Sequence, residues 1–62
     1  MVPRVTIVMY EGRTIEQKRK LVKGVTDAIV QALDTVKPEH VSIAILDLPK
    51  TNVGRAGVLA SD

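Results

Sequence analysis

Val5-Thr6-Ile7-Val8-Met9-Tyr10-Glu11-Gly12-Arg13-Thr14-Ile15-Glu16-Gln17 contains a strand, a turn and the start of a helix within one short stretch. Val5, Ile7 and Met9 alternate with Thr6, Val8 and Tyr10, and β-branched residues fill four of these six positions, so a strand with both faces partly covered is expected. Glu11-Gly12-Arg13 interrupts it, with Gly12 giving the backbone freedom to turn. Thr14 and Gln17 then fit a capping box, in which the Thr14 hydroxyl accepts from the Gln17 amide and the Gln17 side chain reaches back to the Thr14 amide. A helix is predicted to begin there.

Further along, Leu21, Val22, Val25, Ala28, Ile29, Ala32 and Leu33 recur at helical spacing, while Lys18, Arg19, Lys23, Asp27 and Gln31 lie largely elsewhere. Gly24 inside the helix costs ~1 kcal/mol relative to Ala, so either it permits close packing against another element, which is the expectation preferred here, or it is simply tolerated. Asp34 to Lys37 should end the helix, because the residue before Pro38 is steered from helical angles. Val41 to Leu48 reads as a second strand, Val41, Ile43 and Ile45 alternating with Ser42 and Ala44. Strand, helix and strand make an α/β fold built on a single βαβ unit with parallel strands. The tail from Asn52 to Leu59 carries Gly54 and Gly57 and should turn back as a short hairpin. Residues 1–62 form one domain.

Such a chain is too small to be stable alone. At this size apolar burial at ~25 cal/mol per Å² roughly cancels ~1.5 kcal/mol of ordering cost per residue. With no Cys and one His, neither disulfides nor a four-ligand zinc site is available, so oligomerisation is expected, and a hydrophobic content of 45% supplies the surface for it. Pairing of two copies into a four-stranded sheet would cover open strand edges. A net charge of +2 and one aromatic residue, Tyr10, argue against nucleic acid as partner; the basic cluster Lys18, Arg19, Lys20 and Lys23 reads as a solvated helix face. No apolar run approaches the ~20 residues that span a bilayer, and no signal peptide is legible, so a cytoplasmic location without membrane contact is expected.

The opening Met1-Val2-Pro3-Arg4-Val5, the Glu11-Gly12-Arg13-Thr14 segment, the Glu16-Gln17-Lys18 run, the amphipathic helix, the Val41-Ser42-Ile43 strand and the glycine-containing tail occur in an order that resembles the 4-oxalocrotonate tautomerase family. The resemblance implies βαβ units that pair and assemble as three dimers into a hexamer, or as heterohexamers of two related chains. It implies proton transfer between an enol acid and its keto form without metal or cofactor. The family's base is an amino-terminal proline amine, kept useful near neutral pH because an apolar site disfavours its charged form. Arginines from neighbouring subunits bind substrate carboxylates and stabilise the oxygen on which charge develops.

Carried onto this chain, the base falls on Pro3 and the first arginine on Arg13. Ser42 stands where active homohexamers have a second arginine, and Val53 stands before Gly54 where an aromatic residue commonly closes the pocket; Arg55 follows as a further candidate cation. Ser42 offers no fixed charge or bidentate fork. Pro3 follows Met1-Val2, so its nitrogen is part of a tertiary amide and has no basic lone pair. The leading expectation is a subunit of a heterohexameric tautomerase acting on an anionic 2-hydroxydienoate-type acid. A paralogous chain would supply the terminal proline, and this chain alone would be weak or inactive. Two alternatives stay open. One is a self-sufficient homohexamer, either after removal of Met1-Val2 or with the Met1 amine as base; the other is a structural or small-molecule-binding homologue without catalysis.

Overall fold

The computed structural model describes residues 2–62. Strand β1 (Arg4–Tyr10) leads through a turn at Gly12, φ +113°, into helix α1 (Ile15–Ala32). A 3-10 turn, Pro38–His40, precedes strand β2 (Ser42–Leu48), and a second, Lys50–Asn52, precedes the short strands β3 (Gly54–Arg55) and β4 (Val58–Leu59).

Local chemistry sets these boundaries. Thr14 caps α1: its hydroxyl accepts from Gln17 N at 3.1 Å, and Thr14 N donates to Gln17 Oε1 at 2.9 Å. Both halves of the capping box are therefore made. Helical hydrogen bonding ends where Leu33 N donates to Ile29 O at 2.9 Å. His40 fastens the next turn, its Nδ1 accepting from Lys37 N at 3.3 Å, which is a capping role.

β1 and β2 pair in parallel over their whole length, Arg4 opposite Ser42 and Tyr10 opposite Leu48. The ladder is closed at one end by Ser42 N donating to Pro3 O at 3.1 Å and at the other by Glu11 N donating to Leu48 O at 3.0 Å. A parallel pair cannot be joined by a tight turn, and α1 is the crossover that the topology requires. β3 and β4 form a separate antiparallel sheet whose two-residue turn, Ala56-Gly57, has φ of +54° and +80°. Positive φ at both central positions matches the right-handed twist of a hairpin; Gly57 adopts it freely, whereas Ala56 carries a side chain into the left-handed region.

One face of the main sheet meets α1. Val5, Ile7 and Met9 of β1 and Ile43 and Ile45 of β2 are half-buried there, against Leu21, Val22, Val25, Thr26, Ile29 and Val30. The helix stripe is therefore rotated from the one expected: Thr26 and Val30 turn toward the sheet, while Ala28, Ala32 and Leu33 are exposed. Gly24 makes no close approach within the chain, since a Cβ placed there would meet no atom within 4 Å.

The opposite face of the sheet is uncovered. Val8 and Leu46, partners in the ladder, are 56% and 50% exposed, and Tyr10 lies beside them on the same face. No described residue is fully buried. The chain measures 45 × 24 × 13 Å with a radius of gyration of 14.9 Å, against about 10–11 Å for a globular chain of this length. It is a two-layer plate without an interior of its own, which agrees with the expected need for oligomerisation.

Candidate active site

β1 carries the candidate residues at its two ends. Pro3 precedes its first residue, half-buried, with its carbonyl held by the Ser42 amide. Ser42 is exposed and pairs with Arg4. Pro3 and Arg4 border a hollow of about 610 Å³, lined also by Val2, Leu33, Thr35, Val36 and His40; Ser42 lies beside it in the ladder but not on its wall. The hollow arises where the chain leaves α1 and returns through Pro38–His40 to start β2, so its walls are the helix C-terminus, the connecting turn and the beginning of β1.

Arg13 lies beyond the other end of β1, in the turn leading to the capping box. It lines a smaller hollow of about 230 Å³ with Met9, Gln17, Lys18 and Leu21. Val53 is on this side too, half-buried and bordering a shallow apolar depression with Val8, Met9, Tyr10 and Leu48. Arg55 is exposed in β3, paired across the hairpin with Val58.

Strand geometry decides what these positions can do together. From Pro3 to Tyr10 the chain advances seven residues, about 23 Å at a rise of ~3.3 Å per residue. Pro3 and Ser42 therefore share one end of the sheet, and Arg13 and Val53 the other. Neither pair reaches the other within one chain.

The Arg13 hollow also contains a residue whose charge and place in the basic cluster predict a solvated position. Lys18 turns toward the sheet and donates to Asp47 Oδ2 at 2.5 Å, with the two side chains 30% and 38% exposed. Asp47 is thereby committed to a cation, and Glu11 belongs to the strand end, its amide bonded to Leu48 O. The signal was present in the spacing. Lys18 lies three and four residues before Leu21 and Val22, and Asp47 continues the alternation of Ile43 and Ile45. Lys23 pairs with Asp27 at 3.1 Å and Arg19 with Glu16 at 3.5 Å, both on the exposed side of α1 as expected of a solvated face. Among the described residues, no helix is long and apolar enough to cross a membrane.

Residues 3–62 match the family model described as Tautomerase enzyme, the match opening at Pro3. The 2-hydroxymuconate tautomerase of Comamonas testosteroni is 42% identical over 60 residues, covering 97% of this chain and 94% of its own. Among solved structures, YwhB, a homologue of 4-oxalocrotonate tautomerase, superposes with a TM-score of 0.89 at 40% identity over 97% of both chains. A heterohexamer 4-oxalocrotonate tautomerase from Chloroflexus aurantiacus gives 0.85 at 30% identity, covering 95% of this chain and 94% of that one.

Proposed function

The chain belongs to the tautomerase family, and from that premise we propose that it is a subunit of a 4-oxalocrotonate tautomerase-like isomerase. The assembly interconverts the enol and keto forms of an anionic 2-hydroxydienoate-type acid. One observation carries this reading: Pro3 with Ser42, and Arg13 with Val53, occupy opposite ends of the β1–β2 sheet. A site that uses both ends is completed only where one chain's Pro3 end abuts another chain's Arg13 end. The uncovered face and open strand edges of the plate support such an assembly, with chains pairing into four-stranded sheets and three pairs forming a hexamer.

In this site a free amine takes the proton from the enol hydroxyl. The O–H electron pair becomes the carbonyl π bond, the conjugated π electrons shift, and the distal carbon takes a proton back from the ammonium. Arg13 holds a substrate carboxylate and offsets charge on the oxygen. Apolar surface near Val53 and Met9 excludes water and disfavours the charged amine. Because Val2 acylates Pro3, the base comes from a paralogous chain with a terminal proline, in a mixed hexamer like that described for the Chloroflexus aurantiacus protein. A second reading is favoured by the family match opening at residue 3. Removal of Met1-Val2 would turn Pro3 into a secondary amine and make a homohexamer self-sufficient.

Intact-mass measurement combined with a 2-hydroxymuconate ketonisation assay tests both. Protein retaining Met1-Val2 is expected to be inactive alone and active when co-purified with a proline-bearing paralogue, with Pro3→Ala harmless in the mixture. Activity that appears only once Met1-Val2 are lost, and vanishes in Pro3→Ala, selects the second reading. Full activity of the untrimmed chain alone overturns the first, and absence of turnover in every pairing overturns both.

A further inference from the structure

We propose that Arg4 is a carboxylate-binding residue of the hollow at the Pro3 end, where it receives one end of a small dicarboxylic acid. The inference deepens the isomerase reading and rests on it for the identity of the acid.

Four observations carry it. The hollow, about 610 Å³, is lined largely by apolar groups of Val2, Pro3, Leu33 and Val36, and Arg4 is the one permanent cation on its wall. That volume falls within the range of small-molecule sites, ~300–1,000 Å³, which typically pair apolar walls with a few polar groups. No carboxylate lines the hollow, and Arg4 makes no hydrogen bond or ion pair among the described residues, so its guanidinium is uncommitted. Opposite Arg4 in the ladder stands Ser42, a small neutral side chain directed to the same face of the sheet, the one that α1 leaves uncovered, so it brings no competing charge to the guanidinium.

His40 completes the chemistry. Its Nδ1 accepts from the Lys37 amide, so the neutral ring carries its proton on Nε2 and is a donor there. A ligand entering the hollow thus has a planar cationic fork and an imidazole N–H donor available on apolar walls. That combination suits a carboxylate, which a guanidinium binds through two parallel bonds. Arg13 of the same chain is too distant to serve this hollow, so the charge here is supplied locally.

The register supplies the test. Residue 42 sits one strand over, ~4.8 Å from residue 4, so an arginine there can replace one removed from position 4. The assembled protein is titrated calorimetrically with cis,cis-muconate, a dicarboxylate that lacks the reacting hydroxyl. Arg4→Ala should weaken binding about tenfold or more, and Arg4→Lys should lie between, as expected when a charge-assisted fork is lost. Arg4→Ala/Ser42→Arg should return affinity to within about threefold of the parent, given the direct pairing of the two positions. Lys20→Ala, which removes a charge from the exposed side of α1, should change nothing.

Unchanged affinity in Arg4→Ala, an equal loss in Lys20→Ala, or no muconate binding by the parent protein overturns the proposal. A loss relieved by neither Arg4→Lys nor Ser42→Arg marks a structural effect and overturns it as well. The two readings fail separately. Muconate held through Arg4 without turnover of 2-hydroxymuconate in any pairing sinks the isomerase and leaves this site. Turnover with a KM indifferent to Arg4→Ala does the reverse.

Discussion

Lys18 Nζ donates to Asp47 Oδ2 at 2.5 Å and ties the start of α1 to the far end of β2, beside the Met9 and Arg13 hollow. The pair is about one-third exposed, so its strength lies near the upper end of the range for surface ion pairs. A double-mutant cycle on Lys18→Ala and Asp47→Asn should give a coupling of about 1 kcal/mol by urea unfolding, diminished at high salt. A coupling near zero would show that the two charges merely coexist.

Val8 and Leu46 sit opposite each other on the uncovered sheet face, each at least half exposed. Val8→Asp places a charge where a neighbouring chain is expected, and sedimentation velocity should show the oligomer dissociating. Circular dichroism should lose helix signal alongside, because no described residue is fully buried within the chain. For the parent protein, Tm should rise with protein concentration. An unchanged oligomer in Val8→Asp would mean that this face contacts nothing.

At Gly24 the expectation of close packing meets open space within the chain. Gly24→Ala should therefore stabilise the assembled protein by about 0.5–1 kcal/mol, read from denaturant unfolding. Destabilisation would instead reveal a neighbouring subunit lying against this part of α1.

Arg13 is exposed and outside the strand and helix, so Arg13→Ala should leave folding intact. In the active assembly it should lower kcat/KM for 2-hydroxymuconate by about 10²-fold or more, the scale of losing one preorganised donor to developing charge. Arg13→Lys should recover only part, because the ammonium lacks the bidentate fork. Wild-type kinetics in Arg13→Ala would remove it from the site.

Signals carried by adjacent residues were legible in the sequence. The Thr14–Gln17 box, the alternation in β1 and β2 and the turn at Gly57 each depend on a few neighbours, and each is formed. The face that α1 presents was harder to read. Ala28 and Ala32 are apolar by composition, but the sheet lies nearer Thr26 and Val30, and packing rather than hydrophobicity settled the difference. The charge on Lys18 reads as solvent-facing, although its position on the stripe points it at Asp47. The division of the site was visible only through strand direction: seven residues of β1 separate positions that a linear motif sets side by side.

A polypeptide whose interior is completed by its neighbours has no durable existence as a single molecule. Its abundance in a cell is then tied to the supply of whatever completes it, since surplus copies stay open to proteases until they are captured. If that complement is a different gene product, balanced synthesis of the two becomes a condition of activity, and a shortage of either limits the amount of enzyme made.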